Sequence, residues 1–531
     1  MTAGHPSKAP TANLSRILDW ARCRFPRKVA LAYEDRRWTY ADMDRDVNAL
    51  AAGLREAGIA REHRVAVLGQ NVPEYLLLGL ALAKLGAVMV PLNYRLAEDE
   101  LAQLLGHCKP VALAADSDFA DTARALLDRV PALERLLALE DRPGDPWISV
   151  PELIERHSGE RVPDAEVGDD DVQRILYTSG TTSLPKGALL THGNVNANMN
   201  AQVVELALTP EDRILNFAPL YHVGGLDLPG YATWYVGATM LLERRFAARD
   251  LLERITNDRA TGMVMVATMI GMIRDLPDRE RYDTSSVRFL IFSQVNRRLF
   301  EEARRLFPNA RLIEGYGLTE TCNGLTYLDM EHMLTKQGSV GRPLHGVDVQ
   351  VVDEDDNPLP PGEEGEVVAR GPKVCAGYLD DPEATARAFR NGWFHTGDIG
   401  RFDEDGYLYI VDRLKDMIRS GGENVASSEI EAVIHEFPAV SETAVVGAPH
   451  PKWVEVPVAF VVPRPGQQID PQGLVAHCRE HLAGFKVPKA VYELEALPRN
   501  PSGKVLKRDL RDMLGELTPT YLADDQVGRA G

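Results

Sequence analysis

Cysteine is scarce in this sequence. Only five of the 531 residues are cysteine, and they lie far apart, at Cys23, Cys108, Cys322, Cys375 and Cys478. An odd number with no C-x-x-C pair argues against a disulfide framework and against a cysteine-ligated zinc site. The pattern is typical of thiols kept reduced, so we expect a cytoplasmic protein.

Positive charge is also in short supply. Lys and Arg total 59 against 78 Asp and Glu, which gives a formal net charge of −19, and the sequence has no block of Lys or Arg. This balance excludes nucleic-acid binding as the main function, because that function depends on a basic surface. Any anionic ligand must therefore be held by a local site against the overall field.

Long hydrophobic runs are missing as well. The most apolar stretch, Tyr75 to Leu92, is interrupted by Lys84 and bounded by Pro73 and Pro91. It predicts a buried helix and strand rather than a membrane span. Residues Met1 to Asn13 lack the apolar core of a signal peptide. We expect no membrane span.

The chain instead contains 44% hydrophobic residues in alternating strand and helix patterns. Thr39 predicts the N-cap of a helix through Leu54. Strands and helices then alternate, which predicts an α/β fold with doubly wound sheets. The first alternating segments are Arg64 to Leu68 (strand), Pro73 to Leu85 (helix), Ala87 to Pro91 (strand) and Glu98 to Cys108 (helix). Further strand segments are Asp212 to Pro219, Val264 to Thr268 and Phe289 to Ser293.

The pattern changes after about Val347. Short alternating segments with Asp- and Gly-rich turns, Asp348 to Val352 and Gly365 to Ala369, predict a small β-rich subdomain. The C-terminal part predicts an α+β module, with helices Ser427 to His435 and Pro471 to Leu482 and strands Glu442 to Val446 and Pro457 to Val462. We therefore expect a large domain, residues 1–411, and a small mobile domain, residues 412–531.

The strongest chemical signal is the segment Tyr177-Thr-Ser-Gly-Thr-Thr-Ser-Leu-Pro-Lys-Gly187. A strand, Gln173 to Tyr177, leads into a loop with several hydroxyl side chains, Gly180 and Lys186. Backbone N–H groups, hydroxyls and one cation can together wrap a phosphate. The segment differs from the G-x-x-x-x-G-K-[ST] loop, because Pro185 stands where that loop needs its second glycine.

This segment resembles the phosphate loop of the adenylate-forming superfamily, which includes acyl-CoA synthetases, aryl-CoA ligases, luciferases and the adenylation domains of peptide synthetases. The resemblance extends in the same order from about Val29 to Arg508, and the chain looks closest to bacterial acyl- or aryl-CoA ligases. The other matching motifs are Glu314-Gly-Tyr-Gly-Leu-Thr-Glu320, Trp393-Phe-His-Thr-Gly-Asp398, Asp412-Arg-Leu-Lys-Asp-Met-Ile418, Ser420-Gly-Gly-Glu-Asn424 and Pro498-Arg-Asn-Pro-Ser-Gly-Lys504.

The resemblance implies an ATP site. Glu320 and Thr181 would hold Mg²⁺, a hard cation that suits oxygen ligands. Asp398 would accept hydrogen bonds from both ribose hydroxyls, and Arg413 would reach the ribose or a phosphate. The residues implied for the pyrophosphate end are Thr178, Ser179, Gly180, Thr181, Thr182 and Lys186, and those implied for adenine are Gly315, Tyr316, Gly317 and Thr319.

The resemblance also implies two half-reactions. Lys504 would stabilise charge on the α-phosphate during adenylation, and His222 would lie near the acyl channel and the incoming thiol. The small domain would then rotate about Asp412 or Lys415, so that Lys504 leaves and Gly421 and Gly422 approach the thiol tunnel. Lys486 would meet the phosphates of CoA.

Two positions depart from the family pattern. Ser183 replaces a glycine of the phosphate loop, which we expect to matter little. The run Ser293, Gln294, Val295 and Asn296 replaces small residues that form part of the acid-pocket wall. Fixed polar groups reject substrates that leave them unpaired, so we expect a short, polar or aromatic acid rather than a long-chain fatty acid.

The sequence thus predicts an ATP-dependent acid–CoA ligase that forms an acyl-adenylate and then an acyl-CoA. The altered pocket wall leaves open a repurposed enzyme, such as an ATP- and nitrite-dependent diazotase acting on an aromatic amine. A stand-alone adenylation domain that loads a carrier protein is a further alternative. The sequence also leaves open whether the protein is a homodimer.

Overall fold

The computed structural model describes residues 12–140, 146–178, 185–292, 297–420, 423–451, 453–500 and 503–523. These residues divide into two compact units. Unit 1 takes those within Met1–Val349 and Ala369–His395, and unit 2 takes those within Gln350–Val368 and Thr396–Gly531. The boundary predicted at residue 412 stays a prediction. Among the described helices, none combines the length and apolar character needed to cross a bilayer.

The first part of unit 1 alternates strands and helices. Its elements are α1 Arg16–Arg24, β1 Val29–Tyr33, β2 Arg36–Thr39, α2 Tyr40–Glu56, β3 Arg64–Leu68, α3 Pro73–Leu85, β4 Val88–Leu92, α4 Glu98–Cys108, β5 Ala112–Ala115, α5 Ala120–Arg129, β6 Arg135–Ala138, β7 Trp147–Ser149 and α6 Val150–Arg156. A 3₁₀ helix, Ser117–Phe119, precedes α5.

The second part of unit 1 repeats this alternation. Its elements are β8 Val172–Thr178, β9 Lys186–Thr191, α7 His192–Leu206, β10 Arg213–Asn216, α8 Val223–Leu226, α9 Ala232–Tyr235, β11 Thr239–Leu242, α10 Ala248–Asp258, β12 Gly262–Val264, α11 Ala267–Arg274, β13 Phe289–Phe292, α12 Arg297–Leu306, β14 Arg311–Tyr316, β15 Thr326–Leu328 and β16 Ser339–Pro343. Short 3₁₀ helices span Arg279–Arg281 and Thr319–Thr321.

Helix α2 begins where the sequence predicted. The Thr39 side chain accepts a hydrogen bond from the Asp42 backbone N–H, and the Asp42 carboxylate accepts one from the Thr39 N–H. This reciprocal capping box satisfies two N–H groups that a helix start leaves without intrahelical partners. The helix continues to Glu56, two residues beyond the predicted end.

One sheet of unit 1 has the strand order β7-β6-β5-β3-β4-β8-β9, with parallel neighbours except for the antiparallel pair β8 and β9. Strand β3 and helices α3 and α4 have the predicted bounds, and β4 lies one residue later than predicted. The predicted α/β class with doubly wound sheets is confirmed.

The other sheet of unit 1 runs in the order β16-β15-β14-β13-β12-β10-β11-β1-β2. Its central strands, β10 to β14, pair in parallel. The strand predicted over Val264 to Thr268 is shorter and earlier, because ladder pairing ends at Val264 and α11 begins at Ala267. The apolar residues of this segment fit a helical period as well as a strand.

A fully buried ion pair lies inside unit 1. Arg174 of β8 donates a hydrogen bond to the Asp227 carboxylate, and both side chains are almost completely excluded from water. The Asn198 amide of α7 donates to the Asp227 carbonyl at 2.9 Å. The pair therefore connects strand β8 to the segment between α8 and α9.

The remaining elements are β17 Asp348–Val352, β18 Gly365–Arg370, α13 Pro382–Ala388, β19 Phe389–Arg390, β20 Trp393–Phe402, β21 Leu408–Arg413, β22 Ile418–Ser420, β23 Glu423–Val425, α14 Ser427–His435, β24 Val440–His450, β25 Val454–Pro463, α15 Pro471–His481, β26 Ala490–Glu493, α16 Lys507–Asp512 and β27 Tyr521–Leu522. A 3₁₀ helix, Met513–Gly515, follows α16.

The C-terminal module is α+β, as predicted. A sheet runs in the order β23-β22-β25-β26-β27, and β24 pairs with β25. Helices α14 and α15 pack against it through Ile430, Ile434, Leu474 and Cys478, all of which are buried. Helix α14 has the predicted bounds, whereas β24 extends well beyond Glu442 to Val446 at both ends.

Candidate functional site

The predicted phosphate loop connects β8 to β9. Thr178 ends β8, Lys186 begins β9, and the two residues are direct antiparallel partners. The strand ends therefore hold the two limits of the loop together. Ser179, Gly180, Thr181, Thr182 and Ser183, which carry most of the predicted phosphate contacts, lie outside the described residues.

Tyr378 brings two of the predicted ATP-site residues together. Its hydroxyl donates to Glu320 Oε1 at 2.9 Å, and the Lys186 ammonium lies 5.0 Å from the centre of its ring. Burial and the negative charge of Glu320 raise the pKa of Tyr378 far above its ordinary value, so the hydroxyl keeps its proton. One tyrosine thus holds the carboxylate through a hydrogen bond and attracts the ammonium through its aromatic face.

The segment that carries Tyr378 is fixed by its backbone. The Cys375 N–H donates to the Glu320 carbonyl at 2.7 Å. Ala376 and Gly377 exchange backbone hydrogen bonds with Leu189 of β9 at 2.9 Å. Since Leu189 belongs to the strand that follows the phosphate loop and Glu320 to a predicted motif, residues 375–378 hold this strand next to the Glu320 turn.

The predicted adenine motif spans the end of β14 and the turn after it. Tyr316 is the last residue of this strand, and Thr319 and Glu320 lie in the 3₁₀ helix that follows. A Cβ atom on Gly317 would lie 2.7 Å from the backbone carbon of Asn323, a distance that no side chain tolerates. Glycine is therefore required at 317, because the chain folds back tightly against residues 323–325.

His222 precedes the short helix α8. Its Nδ1 accepts a hydrogen bond from the Gly224 N–H at 3.1 Å, so the ring proton of the neutral form lies on Nε2. Although solvent reaches the ring, the surrounding protein atoms lower the pKa of His222 from its ordinary value. A neutral imidazole that can donate through Nε2 suits a position beside a bound acid.

Two further groups of predicted residues lie outside the described parts of the chain. The altered acid-pocket wall, Ser293, Gln294, Val295 and Asn296, is one of these groups. The other is Gly421 and Gly422, which the resemblance assigns to the thiol tunnel. The roles of both groups stay predictions.

Within unit 2, Asp398 and Arg413 face each other across neighbouring strands. They are register partners of the antiparallel pair β20 and β21, and Arg413 Nε lies 3.2 Å from Asp398 Oδ1. Asp398 is only 3% exposed. The strand register therefore places the predicted ribose acceptor beside the predicted cation.

Lys504 belongs to the same neighbourhood of unit 2. Loss of hydration, together with the positive charges of Arg413 and Lys415, lowers its pKa to about 8. Burial also lowers the pKa of Lys415. The backbone of Lys504 is anchored on Asn500, whose side chain accepts from the Lys504 N–H at 2.8 Å. Gly503 has φ +88°, which favours glycine, so the Ser-Gly-Lys sequence suits this turn.

The candidate hinge residue Asp412 and the candidate CoA-binding residue Lys486 both contact other side chains of unit 2. Asp412 Oδ2 accepts hydrogen bonds from the Ser427 backbone N–H at 2.5 Å and from its hydroxyl at 2.6 Å. The Lys486 ammonium contacts both carboxylate oxygens of Glu429, at 2.6 and 2.8 Å. A CoA phosphate would have to compete with Glu429 for Lys486.

The donor set at Glu320 fits a magnesium ion. Glu320 is only 8% exposed, and the hydrogen bond from Tyr378 fixes the direction of its carboxylate, a hard oxygen ligand of the kind that Mg²⁺ prefers. Among the described residues, no cluster of three or more His, Cys, Asp or Glu side chains could hold a metal by itself. A magnesium ion here would complete its octahedral shell with phosphate oxygens and water, as Mg²⁺ usually does.

Sequence reasoning missed several of these contacts. Tyr378 lies in a Gly-Tyr-Leu-Asp sequence that signals only a turn before α13, 58 residues beyond Glu320. Glu366, whose carboxylate accepts from the Gly397 N–H at 3.1 Å beside Asp398, was missed as well. No local pattern identifies such residues, because each acts through a partner that is distant in sequence.

Comparison with known families gives two matches. The model described as AMP-binding enzyme matches residues 18–379, and the model described as AMP-binding enzyme C-terminal domain matches residues 429–504. The first match covers more than half of the chain.

Curated relatives align over nearly the whole length. A feruloyl-CoA synthase from an Amycolatopsis species is 40% identical over 494 residues, which cover 92% of this chain and 96% of the relative. A long-chain-fatty-acid–CoA ligase from Mycobacterium tuberculosis is 38% identical over 493 residues, which cover 91% of this chain and 95% of the relative.

A solved structure also aligns with nearly the whole chain. The o-succinylbenzoate CoA synthetase from Bacillus subtilis, in complex with the acyl-adenylate intermediate OSB-AMP, superimposes with a TM-score of 0.83 at 30% identity. The match covers 96% of this chain and 99% of the other.

Proposed function

Since this chain belongs to the AMP-binding enzyme family and is an AMP-forming acid–thiol ligase, we propose that it joins an aromatic carboxylic acid to coenzyme A. In the first half-reaction, a carboxylate oxygen attacks the α-phosphorus of ATP and pyrophosphate leaves. In the second, the thiol of CoA attacks the acyl-adenylate, a thioester forms and AMP leaves.

One observation in unit 1 carries the proposal. The Lys186 ammonium and the Glu320 carboxylate lie on the same tyrosine, Tyr378. A cation for phosphate oxygens beside a carboxylate for a metal–phosphate complex is the combination that nucleotide activation needs. Bound Mg²⁺ would neutralise charge on the phosphate oxygens.

The remaining roles follow the family motifs. Tyr316 would stack on adenine, Asp398 and Arg413 would bind the ribose, and Lys504 would place its ammonium at the α-phosphoryl oxygens. His222 would donate from Nε2 towards the acid or its adenylate. Free thiols at all five cysteines support a reducing compartment, and we place the reaction in the cytoplasm.

The relatives support an aromatic substrate without being uniform. Feruloyl-CoA synthase and o-succinylbenzoate CoA synthetase have aromatic acids in their names, whereas the mycobacterial relative is a fatty-acid ligase. The polar residues predicted for the pocket wall, Gln294 and Asn296, favour the aromatic class. The relatives do not favour the diazotase or the carrier-protein alternative.

The test measures AMP released from Mg-ATP by the purified protein with cinnamic, benzoic, short aliphatic and long-chain acids, each with and without CoA. We expect CoA-dependent AMP release with the aromatic acids. AMP release that requires nitrite and an aromatic amine, without CoA, would overturn the thioester reaction. CoA-dependent release with long-chain acids alone would overturn the substrate class.

Lys504→Ala and Lys489→Ala make a matched pair for the same assay. Both remove a lysine from unit 2, but only Lys504 belongs to the motif assigned to the α-phosphate. We expect Lys504→Ala to lose pyrophosphate–ATP exchange while Lys489→Ala keeps it. Equal activity of the two variants would remove Lys504 from the proposed machinery.

A further inference from the structure

The turn that contains Lys504 passes directly into helix α16. The Leu506 N–H donates to the Pro498 carbonyl at 2.8 Å, which joins the two ends of the turn. The helix begins at the next residue, Lys507, and its buried Leu510 belongs to a hydrophobic core of unit 2. A contact that fixes the position of α16 therefore also fixes where the Lys504 turn lies.

Lys507 links the helix to the predicted hinge residue, Asp412. Its ammonium donates to the Ser427 hydroxyl oxygen at 2.5 Å, and that hydroxyl donates to Asp412 Oδ2 at 2.6 Å. The ammonium also lies 2.8 Å from a carboxylate oxygen of Glu431, which accepts from the Val445 N–H as well. Because the Lys507 side chain is only 17% exposed, little water weakens these contacts.

Arg511 makes a second link one helical turn later. Its guanidinium donates to Asp416 Oδ1 at 3.0 Å. Residues four apart lie on the same face of a helix, so Lys507 and Arg511 meet the same neighbouring segment. That segment is the turn from Asp412 to Asp416, in which the Asp416 N–H donates to the Arg413 carbonyl at 2.8 Å. We call Lys507 and Arg511 the α16 pair.

The contacts of the α16 pair act against repulsion between cations. Loss of hydration, together with the positive charges of Arg413 and Lys415, lowers the pKa of Lys504 to about 8. The carboxylates of Asp398 and Asp416 have the opposite but smaller effect. Like charges drive groups apart unless other contacts hold them together. The α16 pair supplies such contacts, because it attaches the Lys504 turn to both ends of the segment that contains Arg413 and Lys415.

We propose that the α16 pair positions Lys504 for the adenylation half-reaction by holding its turn against residues 412–416. This inference rests on the proposed function. Lys507 and Arg511 are positioning residues, since they act through Lys504. Because Lys507 is linked to the predicted hinge residue Asp412, a backbone change that withdraws the Asp412 carboxylate also weakens the hold on Lys504.

The test measures the two half-reactions separately in the intact protein. Pyrophosphate–ATP exchange reports adenylation, and thioester formation from CoA and a chemically prepared cinnamoyl-adenylate reports the second step. Lys504 is assigned to adenylation alone. We expect Lys507→Met and Arg511→Met each to lower kcat for exchange by about 10- to 100-fold, the cost of a misplaced group, and to leave the second step within about twofold of wild type.

Arg508→Met is the matched control. Arg508 lies on the same helix between the two members of the pair, but its side chain is 67% exposed and lies 3.5 Å from the carboxylate of its neighbour Asp509. This variant should keep the wild-type rates of both steps. Arg511→Lys should recover most of the exchange activity, because an ammonium can also donate the hydrogen bond to Asp416.

The pH profile of exchange gives an independent readout. In the two methionine variants the Lys504 turn is no longer held beside Arg413 and Lys415, so the pKa of Lys504 should rise towards its ordinary value. The alkaline limb of the profile should then move to higher pH, whereas Arg508→Met should keep the wild-type limb. A loss of stability alone lowers the rate without moving the limb.

The outcomes separate the two levels of the proposal. Equal losses in both half-reactions with an unmoved alkaline limb, or wild-type exchange in both methionine variants, would overturn the inference and leave the proposed function intact. If Lys507→Met does not fold, Arg511→Met decides, because the partly exposed Arg511 side chain leaves no cavity in the core. Failure of the wild-type protein to release AMP with any acid would overturn the proposed function and this inference together.

Discussion

Lys504 illustrates how local charges set the chemistry of a single residue. Its pKa of about 8 results from partial loss of hydration and from the neighbouring cations Arg413 and Lys415. The ammonium form is the one that stabilises phosphate oxygens, and a lysine carries its charge below its pKa. The free enzyme therefore loses the charged form as the pH rises through 8.

We predict that kcat/KM for pyrophosphate–ATP exchange falls about tenfold per pH unit above pH 8. Lys504→Arg should keep some activity and lose this alkaline limb, because a guanidinium stays charged throughout the range. A pH profile of both proteins between about pH 6 and pH 10 checks the prediction. An identical alkaline limb in the two profiles would assign the titration to another group.

The two contacts of Tyr378, with Glu320 and with Lys186, can be separated by substitution. Tyr378→Phe removes the hydrogen bond to Glu320 but keeps the ring beside Lys186. Because a hydrogen bond to a charged group contributes about 1.5–3 kcal/mol, we expect the half-saturating Mg²⁺ concentration to rise by about 10- to 100-fold. Tyr378→Leu should in addition weaken ATP binding measured without Mg²⁺.

Calorimetric titration with ATP, with and without Mg²⁺, checks this prediction independently of turnover. The two variants serve as controls for each other, since only the leucine variant loses the aromatic face. Equal Mg²⁺ dependence in wild type and Tyr378→Phe would contradict the role assigned to the hydroxyl.

At the scale of elements, helix α14 shows how a distant residue can start a helix. No side chain of its own caps it, and the residue at the N-cap position is Ala426. The Asp412 carboxylate, from the end of β21, instead accepts from the first helical residue, Ser427. A negative charge at a helix N-terminus also interacts favourably with the helix dipole.

Asp412→Ala should therefore lower the free energy of unfolding of unit 2 by about 1–3 kcal/mol, because the Ser427 donors lose their partner in a buried position. Asp412→Asn retains an acceptor oxygen and should lose less. Urea titration followed by circular dichroism measures both values. No difference between Asp412→Ala and wild type would show that water replaces the carboxylate at little cost.

Element bounds were predicted best where residues that begin or end a helix, such as Pro and Gly, coincide with the ends of the hydrophobic pattern. Helix α3 lies between Pro73 and Gly86, and its bounds match the prediction. The segment Val264 to Thr268 has no such residue at either end. Its apolar residues fit the spacing of a strand and of a helix, so the predicted strand was too long. Pairing with β13, which is a tertiary property, decides where β12 ends.

At the scale of the molecule, the two compact units have separate hydrophobic cores. Units with their own cores commonly unfold as separate transitions, and we predict two transitions in calorimetry. Asp227→Ala leaves Arg174 buried without its partner and should lower the transition of unit 1 by the equivalent of about 3–5 kcal/mol.

Asp412→Ala should shift only the other transition. The double variant Arg174→Met, Asp227→Leu replaces the buried pair by apolar side chains and should recover part of the loss, because removal of both charges avoids an unpaired one. A single transition that both Asp227→Ala and Asp412→Ala shift equally would contradict independent unfolding of the units.

The sequence by itself determined the family, the α/β class and the identity of the motif residues, because the phosphate loop, the Tyr316 motif and the Lys504 turn consist of neighbouring residues whose spacing carries the signal. Tertiary structure decided which of them meet. Lys186 and Glu320 are joined only through Tyr378, and the pKa of Lys504 depends on Arg413 and Lys415, which come from another strand and its following turn. Hydrogen bonds and electrostatic forces depend on the distance between groups in space, and the separation of residues along the chain does not determine that distance.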